Sequence, residues 1–144
     1  MDVSLMKSRK RGKFHQLKYD DKPIEIPFKG CVVAREVCDK YIRLDLSHAR
    51  GNKNDLLLIH NYIQQQAKSE FSPLKYAAEN NSWSDVVCKI SNARWDPFPR
   101  YLNVNDIVDV VFTVSAFGTF GWCLTIQTIN VEYCTSPSDR IYSR

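Results

Sequence analysis

The pattern of apolar and polar residues predicts two neighbouring β-strands in the first third of the chain, the second of them from strict alternation. Residues 40 to 47 place Ile42, Leu44 and Leu46 on one face and Tyr41 and Arg43 on the other, which is typical of a half-buried strand. Residues 24 to 37 are rich in β-branched side chains and contain proline and glycine, which favours a bent or bulged strand near a sheet edge. Because only two residues separate these segments, they are predicted to pair as a hairpin.

The β pattern returns in three stretches after residue 82. In residues 83 to 91 the side chains of Val86, Cys88 and Ile90 are expected to point inward, and those of Trp83 and Lys89 outward. Two long strands are predicted within residues 105 to 117 and 120 to 133, joined near Gly118 and Thr119. The residues expected to line the core from these two strands are Val108, Val110, Phe112, Val114, Ala116, Leu124 and Ile126.

Between the second and third strands the spacing changes to that of a helix. Leu56, Ile59, Ile63 and Ala67 recur at intervals of three to four residues, which predicts a helix over residues 55 to 69. A Ser-Pro pair then offers an N-cap and a first helical position, so a second short helix is predicted to end near residue 80.

This order of elements predicts a mainly β fold. The expected architecture is a small β-barrel of five or more strands, similar to the oligonucleotide/oligosaccharide-binding (OB) type, with one or two short helices inserted. A β-sandwich of this length has the same number of strands, so the strand count alone is a weak criterion. The 144 residues are expected to form one domain over residues 21–134, with a basic flexible arm over 1–20 and a tail over 135–144.

Positive charge is concentrated at the N-terminus. The net charge is +4, and residues 1 to 18 hold six cations against the single acid Asp2, which leaves the remainder near neutral. A cationic segment of this kind indicates a phosphate-binding arm or a nuclear localisation signal. The alternative is a disordered terminus that only improves solubility. The six cations are Lys7, Arg9, Lys10, Arg11, Lys13 and Lys18.

The sequence contains no sign of export or of membrane insertion. No apolar run approaches the length of about 20 residues that a bilayer requires, and no apolar stretch of signal-peptide length follows the basic cluster. We therefore expect an intracellular protein, in the nucleus or cytoplasm of a host cell.

No motif in the sequence indicates an enzyme. The histidines His15, His48 and His60 do not occur in a metal-ligand spacing, and no glycine-rich phosphate loop or nucleophile elbow is present. The five cysteines lie far apart without a CxxC pair, which argues against a zinc site and favours reduced, buried thiols. We expect a non-enzymatic protein with no cofactor and no metal ion.

Aromatic residues next to cations give the main indication of function. Single-stranded nucleic acid is bound by stacking of bases on flat side chains, worth about 1 to 3 kcal/mol per base, and by cations along the phosphates. Alternatively, Trp95 and Phe98 close the end of the barrel, with Arg94 and Arg100 paired to nearby aspartates. The residues predicted to bind nucleic acid on these grounds are Lys10, Arg11, Lys13, Tyr41, Arg43, Trp83, Lys89, Arg94, Trp95, Arg100 and Tyr101.

Three blocks in the last third of the chain carry a family resemblance: DVVCKIS, YLNVNDIVDVVFTVSAF and FGTFGWCLTIQTINV. Together they resemble the C-terminal half of viral and phage single-stranded-DNA-binding proteins with an OB fold. In that family a lysine-bearing strand precedes an "x-G/N-D-x-V-x-V" strand and an aromatic-glycine-aromatic turn. The resemblance implies that Lys89, Arg94 and the turn residues Phe117, Phe120 and Trp122 lie near the binding groove. The tail TSPSDRIYSR differs from the acidic tail common in such proteins.

The expected function is therefore the coating of exposed single strands during viral or phage DNA replication. The expected partner is single-stranded nucleic acid, with DNA favoured over RNA. No binding to a membrane is expected. Homo-oligomerisation and contacts with replication proteins stay open. Two alternatives also stay open: an all-β virion or interaction module whose aromatic loop is a protein interface, and an RNA-binding protein of OB type.

Overall fold

A computed structural model describes residues 1–90, 94–96, 102–114 and 116–132 of the chain. Its two α-helices are α1 (Lys53–Ala67) and α2 (Lys75–Asn80), and a single 3-10 turn covers Val3–Leu5. The strands, in chain order, are β1 (Met6–Arg11), β2 (Phe14–Tyr19), β3 (Ile26–Val37), β4 (Tyr41–Asp45), β5 (Arg50–Gly51), β6 (Val86–Lys89), β7 (Arg94–Asp96), β8 (Ile107–Thr113), β9 (Ala116–Gly118), β10 (Gly121–Trp122) and β11 (Leu124–Glu132).

Five of these strands close into a barrel. β3 pairs with β4, β4 with β6, β6 with β11, β11 with β8, and β8 returns to β3. The pairing of β6 with β11 is parallel and the other four are antiparallel. With both α-helices inserted between β4 and β6, this confirms the predicted mainly β fold with an OB-like barrel and short helical insertions.

The long strand β3 bends around the barrel, because a bulge lies in its middle. Its register against β8 shifts between Phe28 and Val32, where Gly30 and Cys31 have positive φ angles of 62° and 59°. The carboxylate of Asp109 accepts a hydrogen bond from the Gly30 N–H at 3.0 Å and so fixes the bulge. The predicted bulge is therefore present, but β3 lies inside a closed sheet and is not an edge strand.

The apolar faces predicted for the barrel strands do line its interior. Alternate residues of β6, β8 and β11 are buried, and the rings of Phe28 and Phe112 meet with centroids 5.6 Å apart. Helix α1 adds Leu56, Ile59 and Ile63 to the same core. One residue of the predicted set, Ala116, is exposed, because the chain has already left the barrel at that position.

Both predicted helices are confirmed, but α2 begins at Lys75 without a side-chain cap and not at the predicted Ser-Pro pair. The side chain of Asn52 accepts a hydrogen bond from the Asp55 N–H and begins α1 two residues before the predicted start. The C-cap residues that follow the two helices, Lys68 and Asn81, both have left-handed backbone conformations.

The N-terminal segment is a folded hairpin and not the flexible arm expected from the sequence. β1 and β2 pair along their whole length, and β2 continues onto β9, which gives a second sheet of order β1-β2-β9-β10. Met6 and Leu17 are buried on the inner face of this hairpin, which holds it against the body of the protein. This N-terminal sheet is also attached to the helical segment, since Ser69 Oγ donates to the Gly118 carbonyl at 2.7 Å.

A simple turn was predicted between the last two barrel strands, β8 and β11, and this is wrong. The chain leaves the barrel after β8, forms the short hairpin β9–β10 on the N-terminal sheet, and returns as β11.

No helix within the described ranges is long and apolar enough to cross a bilayer. The predicted tail, residues 135–144, lies outside the described residues.

Candidate nucleic-acid interface

The outer face of the β1–β2 hairpin carries a cluster of cations. Residues directly opposite each other in an antiparallel pair share one face of a sheet. The register places Lys7 opposite Lys18, Arg9 opposite Gln16, and Arg11 opposite Phe14. All four cations are exposed, and they line one shallow groove of about 330 Å³ together with Gln16 and Asp21. We call the surface formed by Lys7, Arg9, Arg11, Gln16 and Lys18 the basic face.

The charges of the basic face are available to a ligand. Among the residues that the structure describes, none of its four cations takes part in an ion pair. An acidic residue, Asp21, also lines the groove. A local excess of positive charge attracts phosphate groups from a distance and raises their rate of association.

Phe14 forms an aromatic platform at one end of the basic face. Its cross-strand neighbour on β9 is Gly118, and its ring covers that glycine: a Cβ atom at position 118 would lie 3.1 Å from Phe14 Cδ1. The side chain is nevertheless 57% exposed. One side of the ring therefore rests on the backbone of β9 while the other is open to a ligand.

A second exposed ring lies across an adjoining groove. Phe120 occupies the turn between β9 and β10 and is 83% exposed. Phe14 and Phe120 both line a groove of about 520 Å³, which we call the aromatic groove, and its other side-chain-bearing residues include Lys10, Lys13 and His15. The structure thus brings together Lys10, Lys13 and Phe120, which the sequence analysis assigned separately.

The two aromatic residues beneath this groove support it from the core. Phe117 is buried and stacks on His15 with centroids 5.1 Å apart and ring planes at 10°. Trp122 lies opposite Phe117 in the register of β9 and β10 and is also buried. The prediction that Trp122 contacts a ligand is therefore wrong, because this indole packs in the hydrophobic core.

The residues of β4 and β6 that were predicted to bind nucleic acid form a different surface. We call the outer side of these two strands the barrel face. Tyr41 lies directly opposite Lys89 and is 49% exposed, as expected. Arg43, however, is held by two carboxylates: its Nε lies 2.7 Å from Asp85 Oδ1 and its Nη1 3.4 Å from Glu36 Oε2. Its charge is therefore largely compensated within the protein.

Trp83 was predicted to point outward, and this is wrong because it is only 8% exposed. The alternation from which it was predicted does not extend to position 83, since β6 begins only at Val86. The Trp83 carbonyl instead accepts a hydrogen bond from the Leu46 N–H at 2.7 Å, which holds this segment at the end of β4 while the indole packs in the core.

Part of the predicted aromatic loop lies outside the described residues. The backbone of β7 pairs in parallel with β11, with Arg94 beside Thr128 and Trp95 beside Ile129. The side chains of Arg94 and Trp95, and the whole of Arg100 and Tyr101, are outside the described part of the chain.

The titratable groups in the core have packing roles. Burial lowers the pKa of His60, whose Nδ1 lies 2.7 Å from Ser72 Oγ. Burial also raises the pKa of the Cys88 thiol. The expectation of buried thiols holds for Cys88 but not for Cys31 and Cys38, which are exposed. Within the described ranges, no three His, Cys, Asp or Glu side chains are grouped so that they could hold a metal ion.

Comparison of the chain with protein-family models, with curated proteins and with solved structures finds no match.

The most informative residue that the sequence analysis missed is Phe14. A signal for it was present: residues 7, 9 and 11 are all cations, and Gly12 follows at a turn with a φ of 60°. Read as a hairpin, this pattern places Phe14 next to Arg11.

Proposed function

We propose that this protein is a non-enzymatic single-stranded-nucleic-acid-binding protein, with DNA favoured over RNA, that coats exposed strands during viral or phage replication. The observation that carries the proposal is the position of the open Phe14 ring beside the four cations of the basic face. Base stacking requires an accessible flat ring, and phosphate binding requires cations that are not already paired.

The barrel itself supports the proposal. OB-type barrels bind oligonucleotides and oligosaccharides through their outer surface and the loops that extend from it. Here the connection between β8 and β11, which contains β9 and β10, is a loop of this kind, and it carries Phe120. The resemblance of the C-terminal blocks to single-stranded-DNA-binding proteins agrees with this interpretation.

The positions of two histidines favour binding over catalysis. His60 is buried against Ser72, and His15 is stacked on Phe117. Both imidazole rings therefore stabilise local packing, which favours a surface that binds its ligand without transforming it.

The proposal is tested by fluorescence anisotropy with a labelled single-stranded oligonucleotide over a salt series. A labelled ligand is preferable to tryptophan emission because Trp83 and Trp122 are buried. We expect log affinity to fall with log salt with a slope of about −3, since each of four neutralised phosphates contributes about −0.7 on a single strand. Binding that is absent at low salt contradicts the proposal, and tighter binding of RNA than of DNA of the same sequence makes the protein an RNA binder.

A protein-interaction module is the second candidate, because Phe71 and Tyr76 are each 54% exposed. Aromatic side chains are also enriched at the centres of protein interfaces. This candidate predicts that the Phe71→Ser/Tyr76→Ser double variant has lost a protein partner while oligonucleotides do not bind the wild type. Salt-dependent oligonucleotide binding that is unchanged in the double variant contradicts it.

A further inference from the structure

We infer that the single strand is bound primarily on the N-terminal sheet, along the basic face and over Phe14 into the aromatic groove, and not on the barrel face of β4 and β6. This inference rests on the proposed function and assigns its site. It is drawn from three features of the N-terminal sheet: the lack of ion pairs on the basic face among the described residues, the regular spacing of its cations, and the exposed aromatic ring beside them.

The two arginines at and beside the barrel face are compensated by carboxylates, whereas its lysines form no ion pair among the described residues. Arg43 contacts Asp85 and Glu36 at 2.7 and 3.4 Å, and Arg35 contacts Asp45 at 3.3 Å. A phosphate that approached either arginine would have to displace an existing partner. Partly exposed pairs of this kind are individually weak, but they reduce the net positive charge that a ligand meets.

The cations of the basic face are unpaired within the described structure and regularly spaced. Lys7, Arg9 and Arg11 alternate along β1, so they follow each other at about 7 Å, and Lys18 lies on the adjacent strand about 5 Å away. The row on β1 extends over about 14 Å. Such a row can follow the backbone of an extended strand, with one cation for each successive phosphate.

The platform at the end of this row selects unpaired bases. Phe14 is the direct cross-strand partner of Arg11, so a strand whose phosphates lie on the row brings its next base to the ring. Only one side of the ring is open, because Gly118 lies under the other. Inside a duplex both sides of each base are already stacked, so the ring can accept a base only from a single strand or a strand end.

Phe120 extends the path beyond Phe14. Both rings line the aromatic groove, and Lys10 and Lys13 supply positive charge along it. The row of cations and the two rings together suit a short segment, at the lower end of the range of about 4 to 16 nucleotides that one OB fold occupies.

The test compares two pairs of charge-matched and shape-matched variants of the full chain. The sheet variants are Arg9→Ser/Arg11→Ser and Phe14→Ala. The barrel variants are Lys40→Ser/Lys89→Ser, which removes the same charge, and Tyr41→Ala. Arg9, Arg11 and Phe14 are exposed, so their substitution should leave the fold intact, and circular dichroism of each variant verifies this. Affinity for a labelled single-stranded oligonucleotide is measured by anisotropy at several salt concentrations.

We expect the Arg9→Ser/Arg11→Ser variant to flatten the salt slope by about 1.4, and the barrel pair to change it by less than half of that. Phe14→Ala is expected to weaken binding by about 5- to 150-fold, which corresponds to the loss of one stacked base, and Tyr41→Ala by less than about threefold. Equal or larger effects of the barrel variants overturn the inference but leave the proposed function intact. If the wild type itself does not bind, the proposed function fails as well.

Discussion

The attachment of the N-terminal hairpin can be tested by shortening Leu17, one of the two buried apolar side chains that hold it. Leu17 lies on the inner face of β2 and is 2% exposed. Replacement of a buried leucine by alanine removes its transfer free energy and leaves a cavity, at a total cost of about 2 to 5 kcal/mol. If the hairpin unfolds together with the barrel, Leu17→Ala should lower the free energy of unfolding by that amount.

The size of the effect also depends on how the hairpin opens. A hairpin that detaches before the barrel unfolds limits the loss of global stability to its own free energy of opening. For a domain of this size, each 1 kcal/mol lowers Tm by about 3 °C. We therefore expect a Tm decrease of about 6 to 15 °C for cooperative unfolding, and a smaller decrease, with faster amide exchange restricted to residues 6–19, for separate opening.

The assay is thermal unfolding followed by circular dichroism, with hydrogen exchange measured on the same variant. Lys18→Ala is the matched control, because it removes the exposed neighbour of Leu17 on the same strand and should change stability by less than about 0.5 kcal/mol. A Leu17→Ala protein with unchanged Tm and unchanged exchange in residues 6–19 would show that Leu17 does not anchor the hairpin, since the segment would then behave as a free arm.

Three further experiments test the register of β8, the role of Phe120 and the effect of His60 on stability. Val110→Asp should abolish folding, seen as loss of the β signal in circular dichroism, because it places an unpaired charge in the barrel interior; a folded variant would contradict the register of β8. Phe120→Ala should preserve Tm but weaken single-strand binding, and an undiminished affinity would exclude this ring from the site. Burial lowers the pKa of His60, so the unfolded chain binds a proton more readily and stability should fall as pH drops below about 6.5; in urea titrations at pH 7.5 and 5.5, a His60→Gln variant with an undiminished pH dependence would rule out this cause.

The strands of the barrel could be predicted because their alternation reflects burial on one side only. β4 and β8 each have one face in the core and one at the surface, so their sequences alternate over their whole length. The same rule failed at Trp83, because this residue precedes the first residue of β6 and the alternation of that strand does not extend to it. It failed again at Ala116, where the chain had left the barrel for the N-terminal sheet.

The candidate site was only partly predictable, because it depends on contacts between distant segments. The cations of residues 7 to 18 were recognised, but their fixed arrangement requires β2 to pair with β9, about 100 residues further along the chain. Only one side of the Phe14 ring is open because Gly118 lies beneath it, and no local pattern contains that information. The neutralisation of Arg43 likewise depends on Asp85, which a separate segment supplies.

The most direct test of the central claim is hydrogen exchange of the full-length wild-type protein, with and without a saturating single-stranded oligonucleotide. We expect slower amide exchange in residues 6–19 and 116–122, with little change in residues 41–45 and 86–89. Protection confined to residues 41–45 and 86–89, or no protection anywhere at a concentration that saturates binding, would contradict it.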